Sequence, residues 1–446
     1  MKKYFVNPKY GWYNISKIKQ YFDYRLEYFN YFLIVCSFLF LFYKFNYLWL
    51  SLTFIPLILN LILFRNAWKI ILISLIFCLI VIFINHQWNK INSKDINNSI
   101  FTVKDVSSKY LILQDNTFRN FVIFNKNYDL FLFDKILIQA KLKPIELNNY
   151  WESKNIFYEL EIINLQKVSN WDFRNYLFRY LNALGISYNK FLIPLLFGYN
   201  FDSNNELITK LKDMGVIHLI VISGLHYYII YKLIKIIFKK IDKYNLLSLF
   251  FITIYTFINK NTPSILKAFL MIITCEYIFF KQIKNNQINK IMLLFFVSLI
   301  TLSINPKIVL NFGFWLSYLL TFSLLILNKT KYSRNKKLDN LIKLLIIWII
   351  ANILLLSFNT KFSIMSFIFN LLLSNLLELV LIISLLCLPF AIIVDVIYLN
   401  FNYLINILNN VNLIIVIDFT AYIFLLYPLV YFIILYNTIL SKKLSI

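Results

Sequence analysis

Glycine and proline are scarce in this chain of 446 residues, at 6 and 8 positions, and histidine occurs only three times. So little glycine and proline excludes collagen-like, elastic and low-complexity linker architectures, and leaves long uninterrupted elements as the expectation. Four cysteines, at 36, 78, 275 and 387, all fall inside apolar runs. They read as small hydrophobic side chains, so no disulfide framework or thiolate metal site is expected. Three histidines likewise fall short of a cluster of metal ligands, and no cofactor is expected. Charge is sparse at 15% of residues and unbalanced, with 45 Lys and Arg against 21 Asp and Glu.

What is abundant is apolar: 60% of residues are hydrophobic, mean hydropathy is +0.68, and runs near membrane-spanning length recur from end to end. That composition describes a polytopic α-helical membrane protein. Much of the positive excess lies in short loops, where it fixes orientation and is weak evidence for a nucleic-acid partner. The basic leader (Lys2, Lys3, Lys9, Lys17, Lys19, Arg25) lacks a cleavage site and does not read as a secretory signal. It puts the N-terminus in the cytoplasm, ahead of crossings near Tyr28 to Tyr43, Tyr47 to Phe64 and Trp68 to Ile84.

The four expected regions are 1–84 (three membrane helices), 85–170 (a soluble insert), 171–214 (amphipathic and re-entrant helices) and 215–446 (a membrane channel domain). In the insert, alternation of period two predicts strands at Ser99–Val106, Lys109–Gln114, Phe118–Asn125, Asp134–Lys143 and Phe157–Val168. Five short strands suit an extracytoplasmic β-barrel of the oligonucleotide-binding (OB-like) type. Lys109, Tyr110, Arg119, Phe121, Lys126, Lys141 and Lys143 are its candidate contacts to single-stranded DNA, because such barrels stack bases on aromatics beside a basic groove. The competing reading is a barrel whose aromatics fill its core, since the region holds 11 basic and 9 acidic residues.

Asp172 to Gly185 reads as an amphipathic helix with Phe173, Tyr176, Leu177, Tyr180, Leu181 and Leu184 on one face. Ser203-Asn-Asn-Glu206 reads as a capping box opening a short helix that stops at Gly215. With the apolar piece Phe191 to Phe197, it suggests a re-entrant hairpin. Further crossings are expected at Asn245–Ile258, Pro263–Phe280, Ile291–Ile304, Phe312–Leu327 and Leu341–Ser357. Beyond Phe362 the pattern suggests a membrane-dipping piece plus a full helix, an amphipathic stretch, and a last helix near Phe419 to Leu440.

Between Asp213 and His226 stand two of the three histidines, entering an apolar segment. Polar groups in such a segment are functional candidates by default. On one continuous helix His218 and His226 lie roughly 12 Å apart, too far to share a metal unless the helix breaks at Gly224. Ser223 and His226 at a spacing of three leave a hydrolase open, though no carboxylate in the segment orients the imidazole. Packing is the competing role for each Ser and Gly.

His218-Leu-Ile-Val-Ile-Ser-Gly-Leu-His226, preceded by Gly215, resembles the signature of the ComEC family of bacterial competence proteins, membrane channels for single-stranded DNA. Pro194 to Gly198, Pro263 to Met271, and Asn305-Pro306 with Gly313-Phe-Trp-Leu-Ser-Tyr318 resemble further family patches in order. Trp315 replaces a usual Gln, Asn311-Phe312 a common Ser-Pro, and Lys267 a usual Arg. Lysine keeps the charge and loses the bidentate fork. The resemblance implies a DNA-translocating channel in the bacterial cell membrane, not an enzyme, with His218, Ser223, Gly224, His226, Ser264, Lys267, Asn305, Gly313 and Ser317 along the path. It also implies single-stranded DNA and membrane lipid as partners, with a cytoplasmic ATP-driven motor. Many members continue into a metallo-β-lactamase-like domain; this sequence stops after its last apolar segment, so any nuclease is expected to be a separate chain. An exporter or flippase of another polyanion, such as a lipid-linked saccharide, fits the same cationic interior.

Overall fold

The computed structural model describes residues 24–44, 67–91, 95–107, 109–124, 128–169, 171–201, 205–220, 224–241, 245–280, 290–328, 330–356 and 361–416, with 430, 433 and 434. The expected crossing at Tyr47 to Phe64 and nearly all of the last helix lie outside them. Two compact units form, neither contiguous in sequence: residues 1–84, 286–360 and 418–446 make one, and 85–285 with 361–417 the other.

The first unit holds α1 (Tyr24–Tyr43), α2 (Ala67–Asn89), α10 (Lys290–Ile304), a 3-10 turn (Pro306–Leu310), α11 (Phe312–Leu327) and α12 (Lys336–Leu356). Aromatic packing joins them: Phe32 of α1 meets Phe314, Trp315, Tyr318 and Phe322 of α11. Each such ring pair adds about 0.5–1.5 kcal/mol beyond area burial. In α2 the outward residues Leu72, Ile76, Leu79 and Phe83 are exposed and apolar, as a lipid-facing surface requires.

The second unit begins with a closed barrel of five strands, ordered β1-β2-β3-β5-β4: β1 (Asp95–Val106), β2 (Leu111–Asp115), β3 (Asn120–Ile123), β4 (Lys135–Pro144) and β5 (Ile156–Val168). All neighbours pair antiparallel except β3 and β5. Alternation closes it: Ile136, Ile138 and Ala140 of β4 point into the core while Lys135, Gln139 and Lys141 face out, apart from half-buried Leu137 between them. Between β4 and β5 lies α3 (Asn149–Ser153), capped by the Asn148 side chain.

Helix α4 (Phe173–Ala183) is capped by Asp172 and seats the barrel. Asn175 of α4 donates to the Leu132 carbonyl at 2.7 Å and to Asp134 at 2.8 Å, and Arg179 reaches Asp134 at 2.7 Å. Its apolar face divides. Leu181 is buried with Phe178, whereas Phe173, Tyr176 and Tyr180 are exposed, because the barrel claims the side of α4 that carries Asn175.

A π-helical turn (Tyr188–Leu192) leads into α5 (Ile193–Phe197), and α6 (Glu206–Asp213) follows. The cap of α6 is Asn205, whose oxygen accepts from the Leu207 and Ile208 amides; it replaces the expected Ser203, since the helix starts one residue after it. Next come a 3-10 turn (Ile217–Leu219), α7 (Gly224–Ile237), α8 (Leu246–Ile258), α9 (Pro263–Phe280), β6 (Lys361–Ser363), α13 (Ser366–Leu386), α14 (Ala391–Asn410) and β7 (Ile414–Val416).

The dipping piece, full helix and amphipathic stretch expected after Phe362 are instead two helices of spanning length. Asn370, Ser374, Asn375 and Glu378 lie within α13, and the break falls between Cys387 and Phe390, at Pro389, which cannot continue a helix. Five described segments are long and apolar enough to cross a membrane: Ile71–Asn89, Ile217–Ile237, Lys336–Leu356, Ser366–Leu386 and Ala391–Asn410. With the shorter apolar helices between them, this is a multi-pass membrane protein.

Candidate functional site at the histidine motif

The histidine motif is not one helix. Helix α6 ends at Asp213, and Gly215 turns the chain with φ of 73°, a conformation that suits glycine. A Cβ there would also stand 3.1 Å from Ser366 Cβ. The β6–β7 ribbon fixes this corner, with Lys361 bonded to Asp213 at 3.0 Å and Asn412 to the Asp213 carbonyl at 3.1 Å. His218 then sits on the 3-10 turn, and α7 is described from Gly224.

The two imidazoles therefore belong to separate elements. Half-buried His218 is hydrogen-bonded to Asn370 of α13. His226 is 3% exposed, and its ring bonds to the Leu219 backbone, on the turn that holds His218. The two rings thus do not stand on one continuous α-helix, and the spacing of such a helix does not apply. Non-helical backbone at membrane depth survives only where protein or a water-filled cavity covers it.

Helix α7 packs on α9, where Gly224 faces Ala268 closely enough that an added Cβ would lie 3.7 Å from it. Lys267, the next residue along α9, is 8% exposed, and Ser264 lies one turn before it, partly buried. His226, Gly224 and Lys267 thus sit on two packed helices. Ser223 lies outside the described residues. Among the described residues no group of three or more His, Cys, Asp or Glu is placed to hold a metal.

Asn305, Gly313 and Ser317 belong to the other unit, and the first two have local tasks. Asn305 caps the 3-10 turn by accepting from the Lys307 amide at 3.1 Å. Asn311 caps α11 through the Gly313 amide at 2.8 Å, and a Cβ on Gly313 would crowd that same oxygen at 3.1 Å. Trp315 is buried and donates to the Val309 carbonyl at 2.6 Å, closing the same corner. Ser317 is partly buried, and its carbonyl accepts from Thr321.

On the barrel, Phe121 is a correction. It is 2% exposed and packs edge-on against Phe101 inside the barrel, so no base can stack on it. Lys126 lies outside the described residues. Lys109 is exposed. Lys141 and Lys143 project from β4 opposite Glu161 and Glu159 of β5, and Lys143 pairs with Glu161 at 3.4 Å. Arg119 is partly buried beside the β2–β3 turn, which Asp115 holds through the Thr117 and Arg119 amides.

Tyr110 does join a surface cluster, one the sequence reading missed in part. Its hydroxyl bonds to that of Tyr150, its ring lies edge-on to Trp151 at 5.0 Å, and Phe124 meets Trp151 at 5.6 Å. Lys154 donates to the Tyr150 hydroxyl at 2.7 Å and lies 4.3 Å from that ring's centre. Burial pushes the Tyr110 hydroxyl up to about 12, against the pull of Lys154. Asp105 pairs with Lys154 at 3.6 Å and with Lys260, between α8 and α9, at 2.8 Å. Tyr150, Trp151 and Lys154 follow one another on and just after α3; Lys154 is the member missed, and a short helix between strands was the signal that could have found it.

A model of the competence protein family matches residues 195–442, more than half of the chain. The chain belongs to the competence protein family. The competence match takes in every membrane candidate from His218 to Ser317, and the barrel precedes it. ComE operon protein 3 of Bacillus subtilis (strain 168) is 26% identical over 195 residues, 41% of this chain and 25% of that protein. Uncharacterized protein MG316 of Mycoplasma genitalium is 30% identical over 196 residues, 44% of this chain and 51% of that protein. The similarity thus spans about a quarter of one relative and half of the other. No solved structure matches the chain.

Proposed function

We propose that this chain is a channel, not an enzyme, that carries single-stranded DNA into the cytoplasm during natural transformation. Competence family membership supports a role in DNA uptake, and the observation that carries the channel reading is the broken span at the histidine motif. Interrupted helices form the transport sites of many carriers because their irregular backbone must line a cavity or be covered by protein. His218, Ser223, Gly224, His226, Ser264 and Lys267 are the path residues of this unit, whereas Asn305 and Gly313 serve local structure in the other. A path for phosphates needs weak, repeated contacts rather than one tight site.

In the same reading the barrel is OB-like and extracytoplasmic, and the N-terminus is cytoplasmic. The strand order and the Tyr110, Tyr150 and Lys154 cluster support it, since OB-type barrels bind strands at the loops after strands one and four. A separate nuclease and an ATP-driven motor complete the system. Complementation tests it: a transformable host lacking its own channel should regain DNA entry when given this chain. Failure to restore entry, with the protein present in the membrane, would count against it.

Transport of another polyanion is the second reading, favoured by the aromatic rings of the cluster, which suit sugar rings as well as bases. Binding of the full chain in nanodiscs to oligonucleotide or to an acidic glycan separates the two.

A further inference from the structure

Helix α14 carries a polar stripe that the histidine motif does not explain. Asp395, Asn402, Asn406 and Asn409 lie within an arc of about 60° on an ideal helix and extend about 21 Å along it. That length covers most of a hydrocarbon core about 30 Å thick. The stripe runs along the seam between the exposed apolar face of Ile392, Val396 and Tyr403 and the packed face of Val394, Phe401 and Ile405.

The oxygens of Asn406 and Asn409 are closed off from solvent and accept no hydrogen bond. Ser187, just before the π-helical turn that packs against α14, bonds to Asp395 at the other end of the stripe. A buried acceptor without a donor costs about 1–3 kcal/mol. Water or a polar ligand entering along the stripe would relieve both.

We propose that the seam along this stripe of α14 is a closed section of the passage wall, which opens to hold a hydrated phosphate–sugar chain through the amides of Asn402, Asn406 and Asn409. The identity of the chain rests on the transport reading; the opening does not. Amides suit the task because they donate to phosphate oxygens and accept from water and sugar, yet carry no charge that would trap the strand.

Cysteine accessibility in the full chain tests this, with Cys36, Cys78, Cys275 and Cys387 replaced and single cysteines placed at 402, 406 and 409. A charged, membrane-impermeant thiol reagent should label these at least tenfold faster than cysteines at Val396, which faces lipid, or Ile405, which is packed. Equal rates at Asn406 and Ile405 would overturn the proposal. Single-stranded oligonucleotide should slow the labelling and acidic glycan should not; labelling that the oligonucleotide leaves unchanged would refute the DNA occupant while the opening seam stands. As a second measure, Asn406→Leu with Asn409→Leu should raise the thermal midpoint and lower transport, whereas a drop in the midpoint would make the amides structural and sink the idea.

Discussion

Two motifs of this chain look alike in sequence and do different work. Around Asn305 to Ser317 the polar residues end and begin local structure: Asn305 and Asn311 each cap the element that follows, and Gly313 makes room for a cap. In the histidine motif the polar side chains tie separate elements together, His218 to α13 and His226 back to the turn before its own helix. A cap satisfies amides that any helix start leaves open. A cross-element bond in the middle of a span has no such local reason, and that difference separates a fold device from a transport candidate.

The comparison breaks first at Lys267. Lys267→Met should lower DNA entry by about tenfold or more, on the scale of a lost charge contact, with protein level and melting unchanged, while Lys267→Arg keeps most of it. Equal loss of folding would move Lys267 to the structural side. Next in size, Asp134→Ala strips the acceptor from Asn175, Arg179 and the Phe131 amide. It should destabilise the barrel seat by about 2–3 kcal/mol, seen as earlier proteolysis between β5 and α4. Asn311→Ala should cost only about 1 kcal/mol of stability and leave entry per folded molecule as it was; a transport defect beyond the loss of protein would erase the contrast.

The smallest effect is a pH slope. Burial, then the neighbouring charge of Arg174, brings Lys104 down to about 8 from 10.5, with Asp172 opposing. The unfolded chain therefore holds the extra proton from about pH 8 to 10.5, so barrel stability should rise with pH across that window. Lys104→Met should flatten the slope in chemical unfolding at several pH values.

Sequence alone revealed the described helical spans before Phe362 and all five strands, because periodicity and apolar run length are local properties. Phe121 was misread because alternation gives a face but not which face is inside, and the same limit split the face of α4. Asn370 was invisible as the partner of His218, since it lies more than a hundred residues away on a helix its own polarity seemed to interrupt. The corner at Gly215 was equally hidden, because Lys361 and Asn412 hold it from a distant ribbon.

The most direct test places a photo-crosslinking amino acid at position 226, at 267 and, as a lipid-facing control, at Phe250, in cells importing labelled DNA. Adducts to DNA at 226 and 267 but not at 250 are the predicted result. Adducts confined to lipid or protein at all three positions, while DNA still enters, would contradict a passage through the broken helix.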